Sequence, residues 1–437
     1  MDLSLSANAD ARRAERILAR IFREYPGGMA VRLWQGQTVA FGAGSPEFTL
    51  VFREPRPFRE LILSRAPLRL AEAYFREKVD IEGNLYAALQ LKDHFQSLRL
   101  SAIEKAASFC GALLLRNSAD EALACASPSR RTSLSARLAG KHSRAANRQA
   151  IAFHYDVSND FYRLWLDGQM VYSCAYFEAA EESLDQAQRH KLDHICRKLR
   201  LKPNERLLDI GCGWGALICW AAKHYGVSAH GITLSRNQHE YCLRTIADQG
   251  LQDRASVELK DYRDMDGHAV FDKIVSVGMV EHVGIRNLPV YFGTVQRLLK
   301  PGGLFLNHGI TLDTEGWQKS ISTEFINRYV FPDGELDTVS NMQHAMERSA
   351  FEILDVEALR PHYAMTLRHW VRRLEHHREA ALKHIPEMTY RIWRLYMAAC
   401  ALSFEAGDIG VYQILAGRRA RGLGPVPLTR RDIYFDP

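Results

Sequence analysis

No C-x-x-C pair occurs among the eight cysteines of this 437-residue chain. Cys110, Cys125, Cys174, Cys196, Cys212, Cys219, Cys242 and Cys400 follow no repeating interval, so neither a zinc centre nor a disulfide framework is expected. A reduced, cytoplasmic compartment is the expectation that follows. Long apolar runs are missing too: the most apolar block, Phe109 to Leu115, falls far short of the roughly 18 residues a membrane span needs. There is no secretory leader pattern. Residues 10–25 instead set Ile17, Leu18, Ile21 and Phe22 against Arg12, Arg13, Arg16, Arg20 and Arg23, a basic amphipathic helix. Acidic residues are absent between Glu121 and Asp156, where Arg130, Arg131, Arg137, Lys141, Arg144 and Arg148 all fall. Such a cluster attracts anionic headgroups at about 1 kcal/mol per cation near a surface, or nucleic-acid phosphates; charge alone favours a solvated linker. Aromatic platforms, helix-turn-helix spacing and zinc fingers are all absent, so no nucleic-acid partner is expected.

What is present suits an ordinary globular protein of two domains: hydrophobic residues make up 47%, charged residues 25%, and the net charge is +6. Residues 1–125 read as a small mixed α/β domain. Strands are expected in Met29 to Gly42, with a turn near Gln35-Gly36, in Phe48 to Arg53, and in the apolar run Phe58 to Leu63. Helical spacing follows from Pro67 and from Asn84 to Leu98. Nothing in this region forms a catalytic constellation. Residues 126–148, rich in Ser, Ala and Arg, are the expected linker.

From residue 149 to 437 the pattern is that of a second domain. The aromatic-polar stretches His154 to Trp165 and Met170 to Phe177 read as pocket lining. A helix from Ser183 to Leu199 leads into a strand at Arg206 to Asp209. Further strands at Ser228 to Thr233, Ala255 to Leu259, Lys273 to Val277 and Leu304 to His308 alternate with helices, predicting a doubly wound parallel sheet with its ligand at the strands' carboxyl ends. Pro301-Gly302-Gly303 reads as the turn into the last of these strands, and Phe351 to Ala358 and Gly410 to Leu415 as edge strands.

The first strand runs into Asp209-Ile-Gly-Cys-Gly-Trp-Gly215. Gly211, Gly213 and Gly215 let the backbone turn tightly against a ligand. The spacing differs from the dinucleotide pattern G-x-G-x-x-G, and Asp209 would repel a pyrophosphate. A cationic ligand with an amino group suits this loop, and S-adenosylmethionine is such a ligand.

Six blocks together resemble the cyclopropane-fatty-acyl-phospholipid synthases and the related mycolic acid cyclopropane synthases. They are His154-Tyr-Asp-Val-Ser-Asn-Asp-Phe-Tyr162, Tyr172-Ser-Cys-Ala-Tyr-Phe177, the glycine loop, Gly231-Ile-Thr-Leu-Ser235, Gly278-Met-Val-Glu-His-Val-Gly284 and His362-Tyr-Ala-Met-Thr-Leu367. The resemblance covers about Ile151 to Leu415 and implies a Rossmann-like class I methyltransferase domain. The first 125 residues are similar, less distinctly, to the N-terminal domain of the phospholipid-acting members, which implies a lipid- or membrane-binding role. By this resemblance Tyr172, Ser173, Asp209, Gly211, Gly213, Thr233, Leu234 and Gln238 hold S-adenosylmethionine, with Tyr262 against the adenine. Thr233 stands where the wider superfamily uses an acidic residue for the ribose. A bicarbonate ion is implied as the base, with Cys174, Glu281, His308, Tyr363 and the Ile310 backbone as its ligands; no metal is implied.

The implied reaction moves the sulfonium methyl onto a cis double bond and closes a ring by removing a proton. An alkene needs no base to activate it, so catalysis rests on placing the methyl and excluding water. Aromatic faces stabilise the resulting cation by about 0.5–2 kcal/mol each, and Tyr172, Tyr176, Phe177 and Tyr396 are the candidates. Val280 stands where many relatives have Phe, and Gly309 where Thr is common, an exchange expected to enlarge the pocket. The implied substrate is an unsaturated phospholipid met at the inner face of the membrane by a peripherally associated protein, and a homodimer is compatible with it. The alternatives are a fatty-acyl C-methyltransferase giving methyl- or methylene-branched chains, and a non-catalytic lipid-surface module.

Overall fold

The computed structural model describes residues 3–64, 67–115, 158–315, 321–330, 334–422 and 426–434. The expected linker 126–148 and the first four residues of the His154 block lie outside them. The chain divides into two compact units: Met1–Arg131 with Pro386–Ala399, and Thr132–Ile385 with Cys400–Pro437. The expectation of an unbroken second domain from 149 did not include the return of Pro386–Ala399 to the first unit.

In the first unit the helix Leu3–Ile21 begins earlier than its amphipathic pattern suggested, and its apolar side is spent on the core. Ile17, Leu18, Ile21 and Phe22 are buried with Met29, Val31, Phe48 and Phe52. Strands β1 (Gly28–Arg32), β2 (Thr38–Gly42), β3 (Phe48–Phe52) and β4 (Val79–Gly83) form a sheet in the order β2-β1-β3-β4. Phe58 to Leu63 is not the fourth strand. It lies in the helix Pro55–Ser64, where Phe58 and Ile62, four residues apart, meet the core on one side. Arg391, from the returning segment, bonds the carbonyl of Tyr74 at 3.1 Å and the Asp80 carboxylate at 3.2 Å.

The second unit is built on seven strands: β5 (Arg206–Ile210), β6 (Ser228–Thr233), β7 (Ala255–Leu259), β8 (Phe271–Val277), β9 (Leu299–Leu312), β10 (Phe351–Ala358) and β11 (Ile409–Arg418). Their order is β10-β11-β9-β8-β5-β6-β7, and only β11 runs antiparallel to its neighbours. β11 is therefore interior, not an edge as its position in sequence suggested. Pro301 to Gly303 does not precede β9 but bulges within it, between the pairings of Leu299 with Phe271 and Leu304 with Lys273. Neighbouring residues point to opposite layers. Leu207 packs with Ile195 and Ile218 from the helices Leu184–Lys198 and Ala216–Tyr225. Leu208 packs with Tyr291, Phe292 and Val295 from the helix Leu288–Leu298. With both faces covered by helices, the carboxyl ends of β5, β6 and β8 are left to hold the site. Among the described residues no helix is long and apolar enough to cross a membrane.

Candidate functional site

β5 ends in three glycines with left-handed backbone: Gly211 at φ +85°, Gly213 at +55° and Gly215 at +90°. The amides of Gly211 and Cys212 donate to the Ile232 carbonyl at 2.9 and 3.0 Å, tying the loop to β6. A Cβ on Gly215 would stand 2.3 Å from Cys242 Sγ, so packing excludes a side chain there. One on Gly213 would meet nothing within 4 Å, because that glycine faces open space. This space is a cavity of about 140 Å³. Tyr172, Ser173, Asp209, Gly211, Gly213, Thr233, Leu234, Gln238 and Tyr262 all line it.

The cavity is electrostatically uneven. Asp209 is buried and its Oδ1 has no hydrogen-bond partner. Burial drives its carboxyl up to about 7, against the pull of the Lys191 ammonium. Opposite the loop, Thr233 Oγ1 donates to Gln238 Oε1 at 2.8 Å and accepts from the Ser235 amide at 3.2 Å. Tyr262 sits edge-on to Tyr291, with ring centroids 5.3 Å apart, and burial lifts its phenol to about 12. Beside it Arg263 grips Asp261 with two bonds, of 2.8 and 2.6 Å.

Sequence reasoning passed over Lys191, Asp261, Arg263, Met279 and His282, which also line this cavity. For Lys191 a signal exists: it falls on the buried stripe Leu184, Ala187, Gln188, Leu192 and Ile195, where a charge is out of place. The aromatic stretch before β5 divides differently from expectation. Phe161, Tyr162 and Trp165 are core residues, and among the described residues of these stretches it is Met170 to Ser173 that reach the cavity.

The short helix Val280–Val283 follows β8 and separates two spaces. His282 and Val283 face the large cavity, whereas Val280 and Glu281 line a second, much smaller one with Ile310, Glu335 and Asp337. Glu281 Oε1 accepts from the Ile310 amide at 2.7 Å, and Oε2 is enclosed without a partner. The amide assigned to an anion is thus already engaged by Glu281. Desolvation raises the Glu281 carboxyl to about 7, and the Ile310 bond only moderates that shift.

His308, two residues before Ile310 on β9, is 2% exposed. Its Nδ1 lies 3.2 Å from the Gln413 side-chain nitrogen, so Nδ1 accepts and the enclosed, unpartnered Nε2 carries the proton. Burial, with Lys191 and Lys198 adding to it, pushes its pKa down to about 3 and keeps the ring neutral. Cys174 is wholly buried, and its thiol is directed at the carbonyls of Ala175 (3.3 Å) and Leu359 (3.8 Å). Desolvation pushes that thiol far up, so it is no nucleophile. Tyr363 packs its ring on Phe404 at 4.7 Å. Glu281 and Ile310 are joined directly; Glu281, His308 and Cys174 share no direct hydrogen bond.

Two further expectations change. Tyr176 is stacked between His194 (4.2 Å) and His362 (4.9 Å), which leaves no free ring face for a cation. Val280 and Gly309 do not enlarge the pocket: a Cβ on Gly309 would stand 2.4 Å from Val280 Cγ1 and 3.7 Å from Glu281 Oε1. The valine already fills that space. Gly309→Thr should therefore cost about 1–3 kcal/mol by overpacking, read as a lower denaturation midpoint. Adding Val280→Ala should restore part of it; additive losses would contradict this reading.

A seven-stranded, mostly parallel sheet with this glycine loop defines a class I S-adenosylmethionine-dependent methyltransferase. The family model described as mycolic acid cyclopropane synthetase matches residues 142–414. The chain belongs to that family. Residues 15–110 match a domain family of unknown function. A "Probable fatty acid methyltransferase" of Pseudomonas putida is 40% identical, over 93% of this chain and 96% of its own length. The cyclopropane-fatty-acyl-phospholipid synthase of Escherichia coli strain K12 is 39% identical, over 61% of this chain and 66% of its own. A mycolic acid cyclopropane synthase solved with S-adenosylhomocysteine and CTAB superposes with a TM-score of 0.59 at 34% identity, covering 62% of this chain and 98% of that one.

Proposed function

We propose that this enzyme transfers the methyl of S-adenosylmethionine to the cis double bond of an unsaturated phospholipid acyl chain and closes it to a cyclopropane ring. The observation that carries the reading is Glu281: a carboxylate held by one amide, enclosed, and with one oxygen unpartnered, on the helix that also lines the cofactor cavity. Methyl transfer to an alkene leaves a carbocation that must shed a proton, so this chemistry needs an acceptor of that kind. Ring closure takes the proton from the added methyl itself. The name of the Escherichia coli relative supports the phospholipid substrate.

In this reading the glycine loop and Asp209 hold the amino-acid end of the cofactor, and Tyr262 lies along its adenine. Tyr172, half-buried in the cavity wall and backed by Trp165 and Trp370, offers a ring to the acyl cation. The proton leaves toward Glu281. Of its implied ligands a bicarbonate would draw on two, Glu281 Oε2 as acceptor and His308 Nε2–H as donor, both enclosed without partners, the Ile310 amide being taken by Glu281. When bound, it supplies a proton acceptor next to the cation. The basic sequence between Glu121 and Asp156 brings the protein to anionic lipid at the inner membrane face.

The Pseudomonas putida relative, matched along nearly the whole chain, favours a second reading: transfer to a fatty-acyl chain that leaves a methyl or methylene branch. Expression in a bacterium with unsaturated lipids separates the two. The lipids should gain one CH₂ unit and show cyclopropane proton signals in NMR. The same mass gain with vinylic or methyl-branch signals supports the second reading, and unchanged lipids contradict both.

A further inference from the structure

Lys191 is a buried charge in the cofactor cavity that methyl transfer and ring closure leave unused. It lies on the helix Leu184–Lys198, is 2% exposed, and lines the cofactor cavity with Ser173, Asp209 and Gly211. Its Nζ donates to Ser173 Oγ at 2.9 Å, its one hydrogen bond among the described residues. An ammonium has three N–H groups, so two remain. Ser173 Oγ, accepting from Lys191, keeps its own proton to donate.

Three acidic groups act on this ammonium: Asp167, Cys174 and Asp209. None neutralises it by contact. The Asp167 carboxylate is engaged by the amides of Val171 (2.7 Å) and Gln169 (2.9 Å). The Cys174 thiol is un-ionised and directed at carbonyls. Asp209 faces the same cavity with Oδ1 unpartnered and makes no ion pair with Lys191. The cavity thus presents a cation and an anion that do not touch each other. Leaving both unpaired is costly, and a zwitterion with an ammonium and a carboxylate on one carbon satisfies both at once.

We propose that Lys191, with the Ser173 hydroxyl it orients, binds the α-carboxylate of the S-adenosyl ligand, while Asp209 receives its α-ammonium. The assignment rests on the S-adenosylmethionine reading of the cavity. Charge-assisted donors on both carboxylate oxygens fix the methionine end, and with it the direction in which the sulfonium methyl points. A Lys191 that only balanced Asp209 would be indifferent to whether the ligand carries a carboxylate.

Calorimetric titration of the full chain with S-adenosylhomocysteine and with its decarboxylated analogue makes that distinction. The wild-type protein should bind S-adenosylhomocysteine about tenfold or more tightly than the analogue. Lys191→Met should weaken S-adenosylhomocysteine by about tenfold or more and change the analogue by less than about twofold, with Lys191→Arg recovering part of the loss. Equal weakening of both ligands in Lys191→Met would overturn the assignment. So would equal wild-type affinity for the two, a comparison that needs no variant to fold. If the wild-type chain bound neither, the cofactor reading would fall as well.

Discussion

Glu281→Gln should lower turnover by about 10²–10⁴-fold while S-adenosylhomocysteine affinity stays within about twofold. Glutamine keeps the shape and can still accept the Ile310 amide bond of 2.7 Å, but its amide cannot take a proton. Because the wild-type carboxyl is raised to about 7, activity should climb with pH through that value as Glu281 ionises. Stability should move the other way. From the ordinary carboxylate value of 4.5 up to about 7, the folded state binds more protons at Glu281 than the unfolded state, so stability falls as pH rises through that window. Glu281→Gln removes that penalty and should make the ligand-free protein more stable at pH 8, by up to about 3 kcal/mol. Lost cofactor affinity in a folded Glu281→Gln protein would place the residue in the cofactor site instead. Full activity would remove it from the chemistry.

Asp209→Asn should weaken S-adenosylhomocysteine by about 10²-fold, the usual scale for removing one partner of a buried charge pair. The Asp209 carboxyl, raised by burial to about 7, must be ionised to receive an ammonium. Wild-type affinity should therefore fall by up to about tenfold per pH unit below that value. An amide in place of the carboxyl has no such ionisation, so the Asp209→Asn protein should lose this slope. Since burying the ionised carboxylate is unfavourable without a ligand, the same substitution should raise ligand-free stability above pH 7. Weaker binding together with higher stability is a signature that general damage to the fold does not give. An Asp209→Asn protein with wild-type affinity and the same pH slope would contradict the account.

How much of this was legible in the sequence depended on whether a residue's role is local. The loop around Gly211 and Gly213 is set by backbone conformation, and its spacing shows it directly. Strands of the parallel sheet appear as apolar runs because both faces are covered. Phe58 to Leu63 misled for the same reason: a short apolar run has no clear period, and only its place after Pro55 and the four-residue step from Phe58 to Ile62 betray a helix. The interior place of β11 depends on pairing with residues a hundred positions earlier, such as Gln413 with His308. No local pattern encodes that. The same holds for Val280 and Gly309, whose small sizes complement each other instead of opening space, and for Tyr176, whose ring is covered by two histidines far apart in sequence. Lys191 is the intermediate case, since a lysine on an apolar stripe is visible, but the unpaired Asp209 it faces is not.

The most direct test uses S-adenosylmethionine with a fully deuterated methyl group and vesicles of unsaturated phospholipid. Mass spectrometry and NMR of the acyl chains should find a CD₂ unit bridging the two former alkene carbons, the third deuterium having been lost to the base. A chain carrying an intact CD₃ branch, or no label at all, would contradict a buried carboxylate that closes the ring.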